Sequence, residues 1–388
     1  MTYPLALLAA LVPADLLLVQ PPAKPAAKKV ALLIGVNEYT KRGLTDLKFA
    51  EPDVVALSAA LTDAGFAVKA IRGAEGIGDK KSGREVYFSA LNDVLRGVGK
   101  ADTVVLAFSG HGVQLEVNGK ESPYFCPADA VPTDPTTLIP LNEVLKVLDV
   151  NGGGYNLVLV DACRNFVDPD RGKRGGINGR RIDNLPEGTA VFFSCGGRQV
   201  ARETDKMFPA GGGNKGHGVF FHFVLEGLRG AKDSIDEDGR VTWDRLVPFV
   251  KERVRKANAE WFPDVPADQR QVPHAIGSLG EVPPLLDADV VFHALLARTL
   301  GVKGRAADGK GLVLTAVLPG GAGARLGWKP QSVLTKIDDK ELGSEKQIRR
   351  AVFDFAPDGK HTFEMELTEK GELRKMQFTV SDWSKFLK

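Results

Sequence analysis

The sequence predicts an α/β protein with helices on both faces of a largely parallel, doubly wound sheet, followed by a smaller α+β module. Apolar runs of strand length recur at residues 30–36, 103–108 and 156–160, as expected for strands buried on both faces of a parallel sheet. Helical periodicity separates these runs, which favours strand–helix–strand units. Beyond residue 284 the pattern changes to alternating strands around one helix, which indicates a second module.

Length and composition are those of an ordinary globular protein. The chain has 388 residues, 43% hydrophobic and 26% charged, which suggests two or more domains. Its 51 basic and 49 acidic residues give a net charge of +2, so no general attraction to nucleic acid is expected. Three cysteines are too few for a disulfide scaffold, and no Cys/His cluster has zinc-site spacing. We therefore expect neither a metal nor a cofactor.

The predicted elements of the first module follow one another in an order that suits right-handed crossovers. Residues 51–64 form a helix, because Pro52 suits its first position and Val54, Leu57 and Leu61 share a face. The other predicted elements are strands at 66–71 and 189–195 and helices at 85–98, 141–148, 219–230 and 241–256. The acidic turn between the last two helices does not fit a calcium loop, since Ser234 and Arg245 would occupy its first and twelfth positions.

The ends of the chain differ from this middle part. Residues 1–28 are a candidate signal segment followed by a Pro/Ala linker, but no basic residue precedes the apolar stretch. Export and a cytoplasmic location therefore both stay open. We place the first domain at 29–284 and the second at 285–388, with strands at 311–317 and 333–337, a helix at 345–355 and a final hairpin that ends at Val380.

Two of the predicted core strands run into polar clusters that contain His111 and Cys163. The carboxyl ends of parallel strands meet at one edge of a sheet, so an imidazole and a thiol are expected there together. Such a pair can act as general base and nucleophile, and the amides of Gly112 and Cys163 could form an oxyanion hole. The alternative is that Cys163 is a buried core thiol and His111 a loop residue.

The segments Leu106-Ala-Phe-Ser-Gly-His-Gly112 and Val158-Leu-Val-Asp-Ala-Cys-Arg164 resemble the caspase-like cysteine peptidases, especially the bacterial metacaspase relatives called orthocaspases. The resemblance spans about residues 29–284 and also involves 124–130, 199–203 and 218–228. It implies a caspase-like fold and a cysteine endopeptidase in which Cys163 is the nucleophile and His111 the base. A scaffold protein on an inactive peptidase fold is the competing reading, and the presence of both residues favours the enzyme.

The metacaspase resemblance also implies an acidic pocket for an Arg or Lys side chain, formed here by Asp53, Ser109 and Asp161. Alternatively, Asp53 favours a helix N-terminus and Asp161 caps the turn after its strand. Arg198 and Arg202 do not reproduce the aromatic-Arg pattern with which caspases read aspartate. We therefore expect protein or peptide substrates with basic cleavage sites.

Two further expectations follow from the metacaspase resemblance. Residues 139–143 lack the adjacent aspartates of calcium-dependent metacaspases, so calcium activation is not expected. The basic, glycine-rich loop 168–188 lies directly after the nucleophile and is a candidate for self-cleavage, with a passive surface loop as the alternative.

The second module resembles a bacterial PDZ domain over about residues 290–380, through Thr299-Leu-Gly-Val302 and the glycine-rich run 311–327. The resemblance implies that a C-terminal peptide ligand adds a strand to the sheet edge. Its binding residues would be Leu300, Gly301, Val302, Ile348 and Val352. The usual Gly-Asp pair is absent from the segment that precedes residue 333.

Overall fold

The computed structural model describes residues 27–117, 119–164, 182, 185–196, 199–204, 216–277, 279, 283–307, 309–356, 359–369 and 372–386. Nearly all of the candidate signal segment and most of the candidate self-cleavage loop 168–188 lie outside these ranges. Within them, no helix is long and apolar enough to cross a membrane.

An eight-stranded sheet forms the centre of the first module, in the spatial order β10-β7-β6-β3-β1-β2, with β4 paired to β3 and β5 paired to β4. The five core strands β2, β1, β3, β6 and β7 are parallel, whereas β10 is antiparallel to β7 and β4 to β3. The strands of this module are β1 (Lys29–Gly35), β2 (Ala67–Arg72), β3 (Thr103–Val117), β4 (Lys120–Phe125), β5 (Ile139–Pro140), β6 (Tyr155–Arg164), β7 (Thr189–Phe193), the separate pair β8 (Glu203–Thr204) and β9 (His217–Gly218), and β10 (His274–Gly277). The predicted mostly parallel α/β sheet is confirmed.

Helices cover both faces of this sheet. They are α1 (Ala50–Asp63), α2 (Gly83–Leu95), α3 (Leu141–Asn151), α4 (Val219–Leu228) and α5 (Trp243–Trp261). Alternate residues of each core strand face opposite layers: Val105 and Ala107 pack with α1, α4 and α5, whereas Leu106 and Phe108 pack with α2 and α3. Burial on both faces explains why these strands are continuous apolar runs.

The two strands that carry the polar clusters are longer than predicted. We expected them to end at Phe108 and Val160, but β3 continues to Val117 and β6 to Arg164. The extension of β3 pairs with β4 from Gly112 onward, and the extension of β6 pairs with β3. These pairings supply ladder hydrogen bonds to a stretch whose glycines and polar residues are typical of a turn. Asp161 therefore lies within β6, and the described residues that follow it, 162–164, are strand rather than turn.

The second module is an antiparallel sheet with helices, as predicted. Its strands lie in the order β11-β12-β13-β15-β16, with β14 beside β13. The elements are α6 (Ala288–Leu295), a π-helical turn (Leu296–Leu300), β11 (Val302–Ala307), β12 (Gly311–Val317), α7 (Ala322–Arg325), β13 (Val333–Ile337), β14 (Lys340–Glu341), α8 (Glu345–Phe353), β15 (His361–Glu369) and β16 (Glu372–Val380).

The two modules share one apolar core rather than meeting through a bare linker. The boundary segment is hydrogen-bonded into the first module, where the Val241 N–H donates to the Leu286 carbonyl at 3.0 Å. A Cβ on Gly239, in the acidic turn, would lie 2.2 Å from the Phe353 ring of α8. The absence of a side chain at residue 239 therefore permits close packing between the modules.

The residues predicted to line a PDZ-like groove are buried. Leu300, Val302, Ile348 and Val352 are at most 2% exposed, and α6 packs against α8 through the aromatic pair Phe292–Phe353 at 6.3 Å. Peptide binding between β11 and α8 stays a prediction, and it would have to open this packed arrangement.

Candidate active site

The backbone register brings the two polar clusters together. On the neighbouring parallel strands β3 and β6, His111 is the register partner of Cys163, and Ser109 is the partner of Asp161. Residues 109 and 111 continue the alternate positions through which Val105 and Ala107 face α1 and α4. The predicted juxtaposition of the candidate base and nucleophile at one sheet region is thus present in the backbone.

The His111 ring is held in one tautomer. It is 4% exposed, and its Nε2 lies 2.7 Å from the Thr45 carbonyl oxygen. Because a carbonyl can only accept, Nε2 carries the proton and Nδ1 carries a lone pair in the neutral ring. Nδ1 is buried and has no hydrogen-bond partner among the described residues. Burial lowers the pKa of His111, although the Thr45 carbonyl partly offsets this effect, so the ring is neutral at pH 7 and can accept a proton.

The loop between β1 and α1 positions that carbonyl. The Leu47 N–H donates to the Asn37 carbonyl at 2.8 Å, and the Tyr39 N–H donates to Asp46 at 3.0 Å. The Tyr39 hydroxyl accepts the His111 backbone N–H at 2.8 Å. Tyr39 therefore fixes the strand that carries His111, while the same loop presents Thr45 to the ring.

Gly110 is required where this loop meets the sheet. A Cβ at residue 110 would lie 2.9 Å from Tyr39 Oη and 3.0 Å from the Phe125 ring. A larger side chain would displace the hydroxyl that holds His111. Gly112, predicted for the oxyanion hole, lies on β3 beside Arg164 of β6 and Phe125 of β4, and its role stays a prediction.

The three residues predicted for an acidic pocket line one small cavity. Asp53 comes from α1, Ser109 from β3 and Asp161 from β6, and they are joined there by Glu203 of β8 and Gly218 of β9. Asp53, Ser109 and Asp161 are at most 7% exposed. Three carboxylates around one cavity give a site suited to a cation.

Gly218 lies between two of these carboxylates. A Cβ on it would be 2.7 Å from Asp161 Oδ2 and 2.8 Å from Asp53 Oδ2, so glycine leaves the cavity open. The Gly218 N–H donates to Asp53 Oδ2 at 3.1 Å, and Asp53 Oδ1 lies 2.7 Å from His217 Nδ1. Asp53 is therefore more than a helix-terminus charge, because its carboxylate is buried in the cavity.

Burial raises the pKa of Asp53 well above its ordinary value, and the negative charge of Glu203 adds to this. The Gly218 N–H and the Ser109 side chain act in the opposite direction by hydrogen bonding. A buried carboxylate of this kind gains from a cationic ligand, which would stabilise its ionised form.

Several residues of the site were missed in the sequence. Thr45 acts through a backbone carbonyl, which has no sequence signature. Glu203 accepts the N–H groups of Lys48 and Phe49, and His217 and Gly218 belong to a strand of two residues. Such short elements carry no periodicity.

Arg202 also borders the cavity, but its guanidinium group lies over the Phe262 ring. Its guanidinium carbon lies 5.1 Å from the centre of the Phe262 ring. The contact is a cation–π interaction, so this arginine is engaged away from the carboxylates.

Comparison with known proteins assigns the first module to a family. The sequence model of the caspase domain matches residues 28–279, whereas no curated protein matches the chain. A solved protein of Geobacter sulfurreducens is similar at 17% identity and a TM-score of 0.44, over 64% of this chain and 92% of that one. Caspase-1 from Spodoptera frugiperda is similar at 17% identity and a TM-score of 0.43, over 66% of this chain and 88% of that one.

The residues that match the family model make up more than half of the chain and include the strands that carry His111 and Cys163. The mostly parallel sheet flanked by helices agrees with the caspase-like fold implied by the sequence motifs. The chain belongs to the caspase-domain family of cysteine peptidases.

Proposed function

We propose that this protein is an endopeptidase that hydrolyses peptide bonds after Arg or Lys, with Cys163 as nucleophile and His111 as general base. The observation that carries the proposal is the register pairing of these two residues on adjacent strands. The pocket that would choose the substrate lies two residues away on the same strands, at Ser109 and Asp161.

In this mechanism the Nδ1 lone pair of neutral His111 accepts the proton of the Cys163 thiol, and the thiolate attacks the substrate carbonyl carbon. The Thr45 carbonyl stabilises the imidazolium that forms, because it accepts a hydrogen bond from the Nε2–H group. The imidazolium then gives its proton to the leaving amine, which departs as the carbon–nitrogen bond breaks. Water, deprotonated by His111, hydrolyses the thioester and restores the thiol.

The acidic cavity supports the choice of a basic residue before the cleaved bond. A guanidinium or ammonium group would meet Asp53 and Asp161 at a site of low exposure, where charge-assisted hydrogen bonds are strong. An aspartate side chain would instead be repelled by three carboxylates. Selectivity against acidic residues therefore follows from the same groups.

A panel of fluorogenic peptides that differ only in their last residue tests the proposal. We expect wild type to release the fluorophore after Arg and Lys but not after Asp or Leu, and Cys163→Ala to release none. Turnover only after Asp would contradict the acidic pocket. No Cys163-dependent turnover on any peptide would favour a scaffold built on the peptidase fold.

The pH dependence of kcat provides a second test. Hydrolysis needs neutral His111, so kcat should rise with pH through the pKa of this group. Because burial lowers that pKa from its ordinary value of 6.5, we expect half-maximal kcat below pH 6.5 with a saturating Arg peptide. A half-maximal point above pH 7 would contradict a buried neutral base.

The PDZ-like assignment of the second module, its C-terminal peptide ligand, self-cleavage in loop 168–188 and the location of the protein stay predictions. An antiparallel sheet with Gly301 directly before its edge strand β11 supports the PDZ-like assignment. The second module also shares an apolar core with the first. This contact supports a role in holding the peptidase domain, in addition to the recruitment of substrate that a peptide-binding module would provide.

A further inference from the structure

His217 lies behind the acidic cavity and had no assigned role. It belongs to β9, which pairs with β8 so that Thr204 faces His217 and Glu203 faces Gly218. Its Nδ1 is 2.7 Å from Asp53 Oδ1, and its side chain is 18% exposed. This contact joins two titratable groups, and the protonation form of each decides how much negative charge Asp53 contributes to the cavity.

The surroundings of His217 favour its neutral form. Burial lowers the pKa of His217, and the positive charge of Arg229, directly after α4, lowers it further. The His222 ring, also on α4, lies 6.3 Å away. Burial lowers the pKa of His222 to about 3, so it too is neutral at pH 7. A neutral His217 can donate from Nδ1 to Asp53 without cancelling the charge of that carboxylate.

We propose that His217 is a specificity-determining positioning residue that keeps the Asp53 carboxylate ionised and oriented toward a basic substrate side chain. The inference rests on the proposed function, because it concerns the pocket that would bind Arg or Lys. Three groups on two strands support it. The Gly218 N–H on β9 donates to Asp53 and Ser109 on β3 adds a second hydrogen bond, while the neutral His217 ring on β9 is placed to donate a third.

Asp53 needs hydrogen-bond donors because other carboxylates lie near it. Glu203 raises the pKa of Asp53 through its negative charge, in addition to the larger effect of burial, and Asp161 borders the same cavity. Without donors, Asp53 would take up a proton and lose its attraction for a cation. A protonated histidine would also fail, because its positive charge would compete with the substrate.

Two substitutions distinguish the hydrogen bond from simple packing. His217→Leu keeps an apolar side chain of similar bulk but removes the donor. His217→Asn restores a donor, because the Asn Nδ2 atom is the same number of bonds from Cα as the His Nδ1 atom. We expect His217→Leu to raise KM for an Arg peptide at pH 7 by about tenfold, as for a lost hydrogen bond to a charged group, with kcat nearly unchanged. His217→Asn should recover most of this loss.

The pH profile separates positioning from a structural role. KM for the Arg peptide should rise as pH falls through the pKa of Asp53, because protonation removes the charge that binds the substrate. His217 favours the ionised form, so in His217→Leu this rise should begin at higher pH than in wild type. In Asp53→Asn the pH dependence from this carboxylate should disappear. Circular dichroism of each variant checks that it is folded.

Binding of agmatine, which carries the guanidinium of an arginine side chain, tests the inference without turnover. Calorimetry on the Cys163→Ala chain should give about tenfold weaker binding for His217→Leu and recovery with His217→Asn. If agmatine binds equally tightly with His217 and with a folded His217→Leu variant, the inference is overturned, even if the wild-type protein hydrolyses the Arg peptide. Agmatine binding without peptide hydrolysis would instead reject only the proposed peptidase activity, and absence of both would reject the two proposals together.

Discussion

Replacing His111 by alanine is expected to lower kcat for an Arg peptide by about 10³-fold, within the range for loss of a general base. The ring has one free lone pair at Nδ1 and a fixed proton at Nε2, and its register partner is Cys163. Cys163→Ala should reduce kcat by about 10⁴-fold or more, because the nucleophile itself is lost. Stopped and continuous fluorogenic assays at saturating substrate measure both effects.

Matched controls make this prediction specific. His293→Ala removes an exposed imidazole on α6, and Cys126→Ala removes a buried thiol whose pKa burial raises to about 12, which makes it unreactive. Both should keep kcat within a few fold of wild type. The double variant His111→Ala with Cys163→Ala should be no slower than Cys163→Ala, because the two residues act as a unit. A His111→Ala enzyme with near wild-type kcat would refute the dyad.

Replacing Asp161 by asparagine is expected to lower kcat/KM for Arg and Lys peptides by about 10²-fold. The substitution keeps the shape of a side chain that is 7% exposed but removes a charge that would meet the substrate cation in a buried setting. Asp53→Asn should act in the same direction. Glu203→Gln should have a smaller effect, because the Glu203 oxygens already accept the Lys48 and Phe49 N–H groups.

An exposed carboxylate and a steric variant complete this test. Asp63→Asn, at the exposed end of α1, should leave kcat/KM unchanged. Gly218→Ala places a methyl group within 3 Å of the Asp53 and Asp161 carboxylates and should raise KM for basic peptides. If Asp161→Asn cleaves after Arg as efficiently as wild type, the carboxylates do not select the substrate.

The helices and strands of the core were predictable because their signal is local. Helix α1 was expected at 51–64 and spans Ala50–Asp63, since Val54, Leu57 and Leu61 fall on one buried face. The strand ends were not predictable. In β3 the four residues directly after Phe108 are small or polar, and only pairing with the distant strands β6 and β4 keeps this extension in the ladder.

Other elements lacked a local signal altogether. The edge strand β11 is short and polar in alternate positions, and neither this strand nor α6 is among the elements predicted from the sequence. Helix α6 instead packs against both modules: Phe292 pairs with Phe353 of α8, and Val291 lies against Gly230 at the end of α4. Such contacts depend on which surfaces the chain brings together.

The sequence by itself determined the α/β core and the two clusters that contain His111 and Cys163, because strand patterns and short motifs depend only on residues close together in the chain. Only the tertiary structure decided which groups complete the site. The Thr45 carbonyl reaches His111 across 66 residues, and His217 reaches Asp53 across 164. Hydrogen bonds between groups so far apart in the chain form only in the folded sheet with its loops in place, so no local sequence pattern predicts them.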